Sequence, residues 1–252
     1  MTRAGRAQPG TGRRASRTAR ATQARLEAPQ LASRDDGVLA SLALIFPALL
    51  VYQLAIVVVP SVVATDPISR LVYRACGGRG GYLLAQAGLA LGYLAWLHGS
   101  GRTRVLALRA MTPVLVEAAA IAALLRLGLP VLVHRALGLE LGGAATTAVS
   151  AIGAGVYEEL VFRLLLLGGV ARVARALGLS PRVAATVAIT LSALAFAVAH
   201  HVGAAGEALH ASAFAFRALA GVALGATFWL RSLAHATYAH IFYDLLALTL
   251  SA

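Results

Sequence analysis

The chain has 252 residues, of which 59% are hydrophobic and 13% charged, and its mean hydropathy is +0.77. Soluble domains carry about a quarter charged residues, so this composition excludes an ordinary soluble protein and predicts an all-α, polytopic membrane bundle. The net charge is +12, and all 22 basic residues that contribute to it are Arg. Since these residues lie mostly in the first 36 positions or beside apolar runs, we expect no nucleic-acid partner. The single cysteine, Cys76, excludes an intrachain disulfide.

The first 36 residues are rich in Arg, Ala, Thr, Gly and Pro, and they show no apolar periodicity. Such a segment cannot form a hydrophobic core, which predicts a disordered, Arg-rich cytoplasmic tail. An organellar transit peptide is the alternative, because such peptides are also rich in Arg and poor in acidic residues. We favour the tail, since the Arg-rich composition continues through the whole chain.

Seven apolar segments follow the tail, and each approaches the roughly 20 residues that a helix needs to cross the hydrocarbon core. The connections between them are short, which favours antiparallel neighbours. We therefore expect a transmembrane helical bundle of about seven spans. The predicted spans are 37–65, 81–97, 113–133, 148–170, 183–201, 213–230 and 233–250.

The distribution of Arg predicts the orientation of this bundle. With the N-terminus inside, the cytoplasmic segments hold about 15 Arg and the outer loops about four, which agrees with the positive-inside rule. We expect an integral protein of a bacterial plasma membrane with a cytoplasmic N-terminus. Reporter fusions after residues 36, 105 and 178 should all report the cytoplasmic side. An external signal at residue 105 would contradict the assignment of the first two spans.

The fourth predicted span contains the sequence GVYEELVFRL, which places two adjacent glutamates among apolar residues. A charge at membrane depth costs at least about 2.5–3.5 kcal/mol, so such residues are candidates for function. On an α-helix, Glu159 and Arg163 lie on one face and can form an ion pair. Glu158 points elsewhere and has no local counter-charge, which suits a general base. The alternative is a salt-bridged cluster that only contributes to packing.

Two further polar clusters lie near the end of the fifth span and inside the seventh. In FAVAHH, Phe196 and His200 are one turn apart, and His201 follows directly. In HATYAHIFYD, His240 and Asp244 are four residues apart and share a helix face, where a carboxylate can orient an imidazole or both can bind a metal. Helices that converge in a bundle can bring such groups from three spans around one water molecule.

These three motifs, in this order, resemble those of the CPBP intramembrane protease family, also called the Abi or type II CAAX prenyl protease family. The first motif, EExxFR, spans 158–163; the second, FxxxH, spans 196–200; the third, HxxxD, spans 240–244. The resemblance covers about residues 145–250. It divides the chain into the tail 1–36, N-terminal transmembrane helices 37–140 and a catalytic transmembrane domain 141–252.

The resemblance implies an endopeptidase that cleaves membrane-embedded or lipidated substrates, including prenylated CAAX-type ones. Glu158 and His200 would activate water, while His240 and Asp244 would polarise the scissile carbonyl and stabilise its oxyanion. The residues that would support the site are Glu159, Arg163 and Phe196.

The family pattern also leaves open whether a divalent metal such as zinc takes part. Asp244 stands where the family more commonly has Asn, and a charged carboxylate would repel an oxyanion unless it is protonated or bound to metal. This difference favours the metal alternative, in which His200, His240 and Asp244 hold the ion and lower the pKa of bound water.

Two other classes of function remain open from the residues alone. A catalytically silent family member could act as a membrane scaffold or a bacteriocin-immunity-type protein. A proton-coupled carrier could use the buried Glu and His side chains as a relay, although the chain shows none of the inverted repeats typical of carriers.

Overall fold

The computed structural model describes residues 37–57, 67–137, 148–202 and 206–250, so the predicted tail 1–36 lies outside the described residues. Within these ranges every regular element is helical, which confirms the all-α prediction. The elements in chain order are α1 (Gly37–Val57), α2 (Pro67–Ala75), α3 (Arg79–Gly99), a 3₁₀ turn (Arg102–Leu106), α4 (Leu108–Leu137), α5 (Ala148–Glu158), a π-helix (Glu159–Leu167), α6 (Gly168–Ala176), α7 (Pro181–Ala199), α8 (Ala211–Leu230) and α9 (Leu233–Leu250).

Four of these helices are long and apolar enough to cross a membrane. They coincide with the first, third, fifth and sixth predicted spans, and the chain is an integral membrane protein. The total of seven spans stays a prediction. Large apolar side chains of α3 and α4 point outward, including Leu84, Leu91, Leu124 and Leu127. In a bilayer such side chains contact lipid, which accounts for their exposure.

The fourth predicted span is not one regular α-helix, and this corrects the expectation that a single α-helix runs through 148–170. α5 ends at Glu158, and a π-helix carries the chain on to Leu167. The Ser192 hydroxyl of α7 donates a hydrogen bond of 2.7 Å to the Phe162 carbonyl, while the Gly168 N–H bonds to the Arg163 carbonyl five residues earlier. A side chain that takes a carbonyl from the helical ladder widens the helix locally, and such segments are frequent at functional sites.

Two close helix contacts determine where the polar residues lie. A Cβ added to Gly155 of α5 would come within 2.4 Å of Ile241 on α9, and one added to Gly221 of α8 would come within 2.9 Å of Ala193 on α7. Only glycine permits such close approach of two helices. These contacts bring α5 against α9 and α7 against α8 within the unit that runs from Ala40 onward.

Candidate active site

Two histidines, His200 directly after α7 and His240 on α9, approach the carboxylate of Glu158 at the end of α5. Its Oε2 lies 3.7 Å from Nε2 of His200, which follows α7, and 3.8 Å from Nε2 of His240 on α9. The same Oε2 is buried and has no hydrogen-bond partner among the described residues. The structure therefore brings together three of the four residues that the sequence analysis selected for water activation and carbonyl polarisation.

A second carboxylate, Glu159, forms a chain of contacts on the other side of His240. Its Oε2 lies 3.2 Å from Nε of Arg163, as the spacing of four residues predicts, and both side chains are completely buried. Its Oε1 lies 2.9 Å from Nδ1 of His240. Because a carboxylate can only accept, Nδ1 donates and Nε2 is turned toward Glu158. A carboxylate orients the catalytic histidine of hydrolase triads in the same way.

The ring of Phe196 packs against both halves of the site. Its centroid lies 4.6 Å from the His200 ring and 5.9 Å from the His240 ring, with Phe162 edge-on at 5.4 Å. The guanidinium carbon of Arg163 lies 4.6 Å above the same ring, a cation–π contact. Phe196 thus contacts both histidines and the buried cation Arg163.

The structure distinguishes the two adjacent histidines of the second motif. His200 uses Nδ1 to donate a hydrogen bond of 2.8 Å to the Phe196 carbonyl, so its Nε2 faces Glu158. His201 turns away, and its Nδ1 lies 3.1 Å from the carbonyl oxygen of Glu207. Only the first of the two is in contact with the site.

Asp244 completes the cluster on α9, with its Oδ2 3.7 Å from Nε2 of His240. This separation exceeds a direct hydrogen bond. No group of three His, Cys, Asp or Glu side chains among the described residues is arranged to hold a metal ion. The proposed set of His200, His240 and Asp244 therefore does not fit a metal as placed, and the mechanism below uses no metal.

Sequence reasoning missed a buried polar connection from the N-terminal helices to the site. The side-chain amide of Gln53 on α1 donates to the Tyr157 hydroxyl, and the Tyr82 hydroxyl of α3 donates to the Gln53 carbonyl oxygen. Tyr157 directly precedes Glu158, so this connection restrains the end of α5. An uncharged Gln and two Tyr in apolar segments gave no sequence signal, because the contacts depend on tertiary packing.

A further polar group lies apart from the site, at the start of α9. Glu117 of α4 pairs with Arg231, and its Oε2 lies 3.5 Å from Nε2 of His235. His235 also contacts the Ser232 hydroxyl at 2.8 Å. The pairing explains how Glu117 is accommodated inside a predicted span, and it leaves His235 outside the candidate site.

The helical fold and the buried carboxylate–imidazole cluster define a membrane protein whose polar core resembles that of a hydrolase. Residues 140–246 match the family model described as type II CAAX prenyl endopeptidase Rce1-like. This match confirms the resemblance carried by the three motifs, and the matched region contains all seven site residues. No curated protein and no solved structure matches the chain.

Proposed function

We propose that this protein is an intramembrane endopeptidase that hydrolyses peptide bonds of membrane-associated, CAAX-type substrates. One observation carries the proposal: a buried, unpartnered oxygen of Glu158 faces Nε2 of two histidines from different helices. Separations of 3.7 and 3.8 Å are too long for direct hydrogen bonds. They suit groups that share a water molecule, which is the nucleophile that peptide hydrolysis needs.

In this mechanism Glu158 and His200 activate the water. His200 donates through Nδ1 to a backbone carbonyl, so Nε2 of its neutral ring can accept a hydrogen bond from the water. Glu158 takes the water proton as the oxygen attacks the scissile carbonyl carbon. When the carbon–nitrogen bond breaks, Glu158 returns that proton to the leaving amine, so it acts first as base and then as acid.

In the same mechanism, His240 and Asp244 stabilise the oxyanion that develops on the scissile carbonyl. Since Nδ1 of His240 donates to Glu159, an Nε2–H donor toward the oxyanion requires the doubly protonated ring. The carboxylates of Glu158, Glu159 and Asp244 compensate that positive charge. One such donor aimed at the developing oxyanion contributes about 3 kcal/mol to transition-state stabilisation.

The proposal is tested by an activity assay in lipid vesicles with a library of lipidated and unlipidated peptides. We expect wild-type protein to cleave members of the library and the Glu158→Gln variant to cleave none at a comparable rate. If wild type binds peptides without cleaving any of them, the scaffold alternative is correct. If it moves protons across the vesicle membrane and cleaves nothing, the carrier alternative is correct.

The metal question has its own prediction. Because every step of the proposed mechanism uses only side chains and water, we expect activity to survive chelation of divalent ions. We also expect Asp244→Asn to retain or raise activity, since Glu158 and Glu159 still compensate the charge on His240 and Asn offers the oxyanion an N–H donor, which Asp offers only as a protonated carboxyl. Metal content of the purified protein, measured with activity before and after chelation, checks this. Loss on chelation that added metal reverses, together with weaker metal binding in Asp244→Asn, would establish the metal mechanism instead.

A further inference from the structure

Arg217, on α8, is a cation close to the candidate active site that the mechanism above does not use. Its guanidinium forms an ion pair with Glu207. Glu207 in turn is bonded through its backbone N–H to the carbonyl of His200, a residue of the candidate site. A charge in the interior of a membrane protein is costly and marks substrate or ion sites by default.

The position of Arg217 follows from the packing of α8. Gly221 is four residues further along and therefore lies on the same helix face, about one 5.4 Å turn away. Its carbonyl oxygen accepts a contact of 3.5 Å from Nη2 of Arg163, the buried cation that holds Glu159. Arg217 consequently lies about one turn beyond the buried ion pair, on the helix face that contacts it.

The partner of Arg217 is anchored through its backbone and not through its carboxylate. The Glu207 N–H donates to the His200 carbonyl at 2.8 Å, and its own carbonyl oxygen contacts His201. Its carboxylate has Arg217 as its only partner among the described residues, and both side chains are partly exposed. The carboxylate can therefore leave the guanidinium while the backbone stays in place.

We propose that Arg217 binds the free C-terminal carboxylate of the peptide substrate, and that Glu207 occupies this position until the substrate displaces it. The inference rests on the proposed function. Any bond cleaved within a four-residue CAAX motif is followed by at most three residues, so the terminal carboxylate lies within about 10 Å of the scissile carbonyl. The planar guanidinium also matches a carboxylate in two parallel hydrogen bonds.

The test compares a farnesylated CAAX peptide as the free acid and as the C-terminal amide, in phosphatidylcholine vesicles. For wild type we expect kcat/KM to be about 10- to 100-fold higher for the acid, the usual effect of a hydrogen bond to a charged group. In Arg217→Gln the ratio of the two values should fall close to one. An unchanged ratio in the variant would overturn the proposal.

A second variant separates substrate binding from a merely structural ion pair. Glu207→Gln removes the competing carboxylate, so we expect a lower KM for the free acid. If the pair were only structural, the variant would instead lose activity toward both peptides alike, and that result would also overturn the proposal.

Addition of phosphatidylglycerol to the vesicles distinguishes the two possible sources of the anion, the peptide carboxylate and the lipid headgroup. If added phosphatidylglycerol abolished the preference for the acid, the lipid headgroup would be the ligand of Arg217 in an anionic membrane, and that result would overturn the proposal.

Binding to Glu158→Gln protein keeps the inference separate from catalysis. This background should bind the free-acid peptide about 10-fold or more tightly than the amide, and the added change Arg217→Gln should abolish the difference. If wild type cleaved neither peptide, the proposed function would fail while this binding experiment still decided the role of Arg217. Equal binding of acid and amide by Glu158→Gln protein would reject that role.

Discussion

Glu158→Gln is expected to lower kcat/KM by about 10²- to 10⁴-fold, the contribution that a positioned general acid–base group makes. Gln has nearly the same shape but cannot take a proton from water. The side chain makes no direct hydrogen bond through Oε2 in the described structure, so its replacement breaks no hydrogen bond at that atom. The variant should therefore remain folded in detergent, with a thermal midpoint close to that of wild type, while cleavage of the best library peptide is measured alongside.

Glu117→Gln is the matched control for this experiment. It makes the same chemical change in a carboxylate that pairs with Arg231 and His235, away from the candidate site. We expect it to retain cleavage. Equal activity of Glu158→Gln and Glu117→Gln proteins would show that Glu158 is not the base and that the first motif has been given the wrong role.

The sequence predicted those features of the fold that the lipid bilayer requires of each apolar segment by itself. A long uncharged run such as 37–57 must form all its backbone hydrogen bonds within itself, so it reads as a helix whatever its neighbours are. The π-helix from Glu159 to Leu167 was not predicted, because it depends on Ser192, a residue of another helix. The hydrophobic periodicity of one segment does not show which side chain of another helix bonds to its backbone, here the Ser192 hydroxyl to the Phe162 carbonyl thirty residues earlier.

The same division applies to the candidate site. The pair Glu159–Arg163 and the proximity of His240 to Asp244 follow from a spacing of four residues, and the structure contains both. The bond from Glu159 to His240 joins residues 81 positions apart, and that from Gln53 to Tyr157 joins residues 104 apart. Such contacts depend on which helix faces pack together, and one sequence does not determine that. The chemistry of the individual motifs was thus predictable, but the tertiary contacts that orient them were not.

These tertiary contacts give the two glutamates different expected effects. Glu159 contacts both Arg163 and His240, and it is completely buried, whereas the side chain of Glu158 is 28% exposed. Arg163 in turn lies against the Phe196 ring and reaches the Gly221 carbonyl of α8. A change at Glu159 therefore disturbs an ion pair that contacts α8 and α9 as well as its own helix.

Glu159→Gln is accordingly expected to destabilise the protein by about 3–5 kcal/mol, the usual result of leaving one member of a buried ion pair without its partner. Cleavage should also fall, because His240 loses the carboxylate that orients Nδ1. The measurements are the yield of monodisperse protein in detergent, its thermal midpoint and its cleavage rate in vesicles.

The double variant Glu159→Gln/Arg163→Gln separates the two effects of that change. It removes the stranded cation, so it should recover much of the lost stability, since two neutral amides can be buried at lower cost than one unpaired guanidinium. It should not recover cleavage, because no carboxylate faces His240. A Glu159→Gln protein as stable as wild type would show that the buried pair contributes nothing to the fold. A stable double variant with full activity would show instead that the orientation of His240 does not depend on Glu159, and the contact of 2.9 Å between them would then have no part in the mechanism.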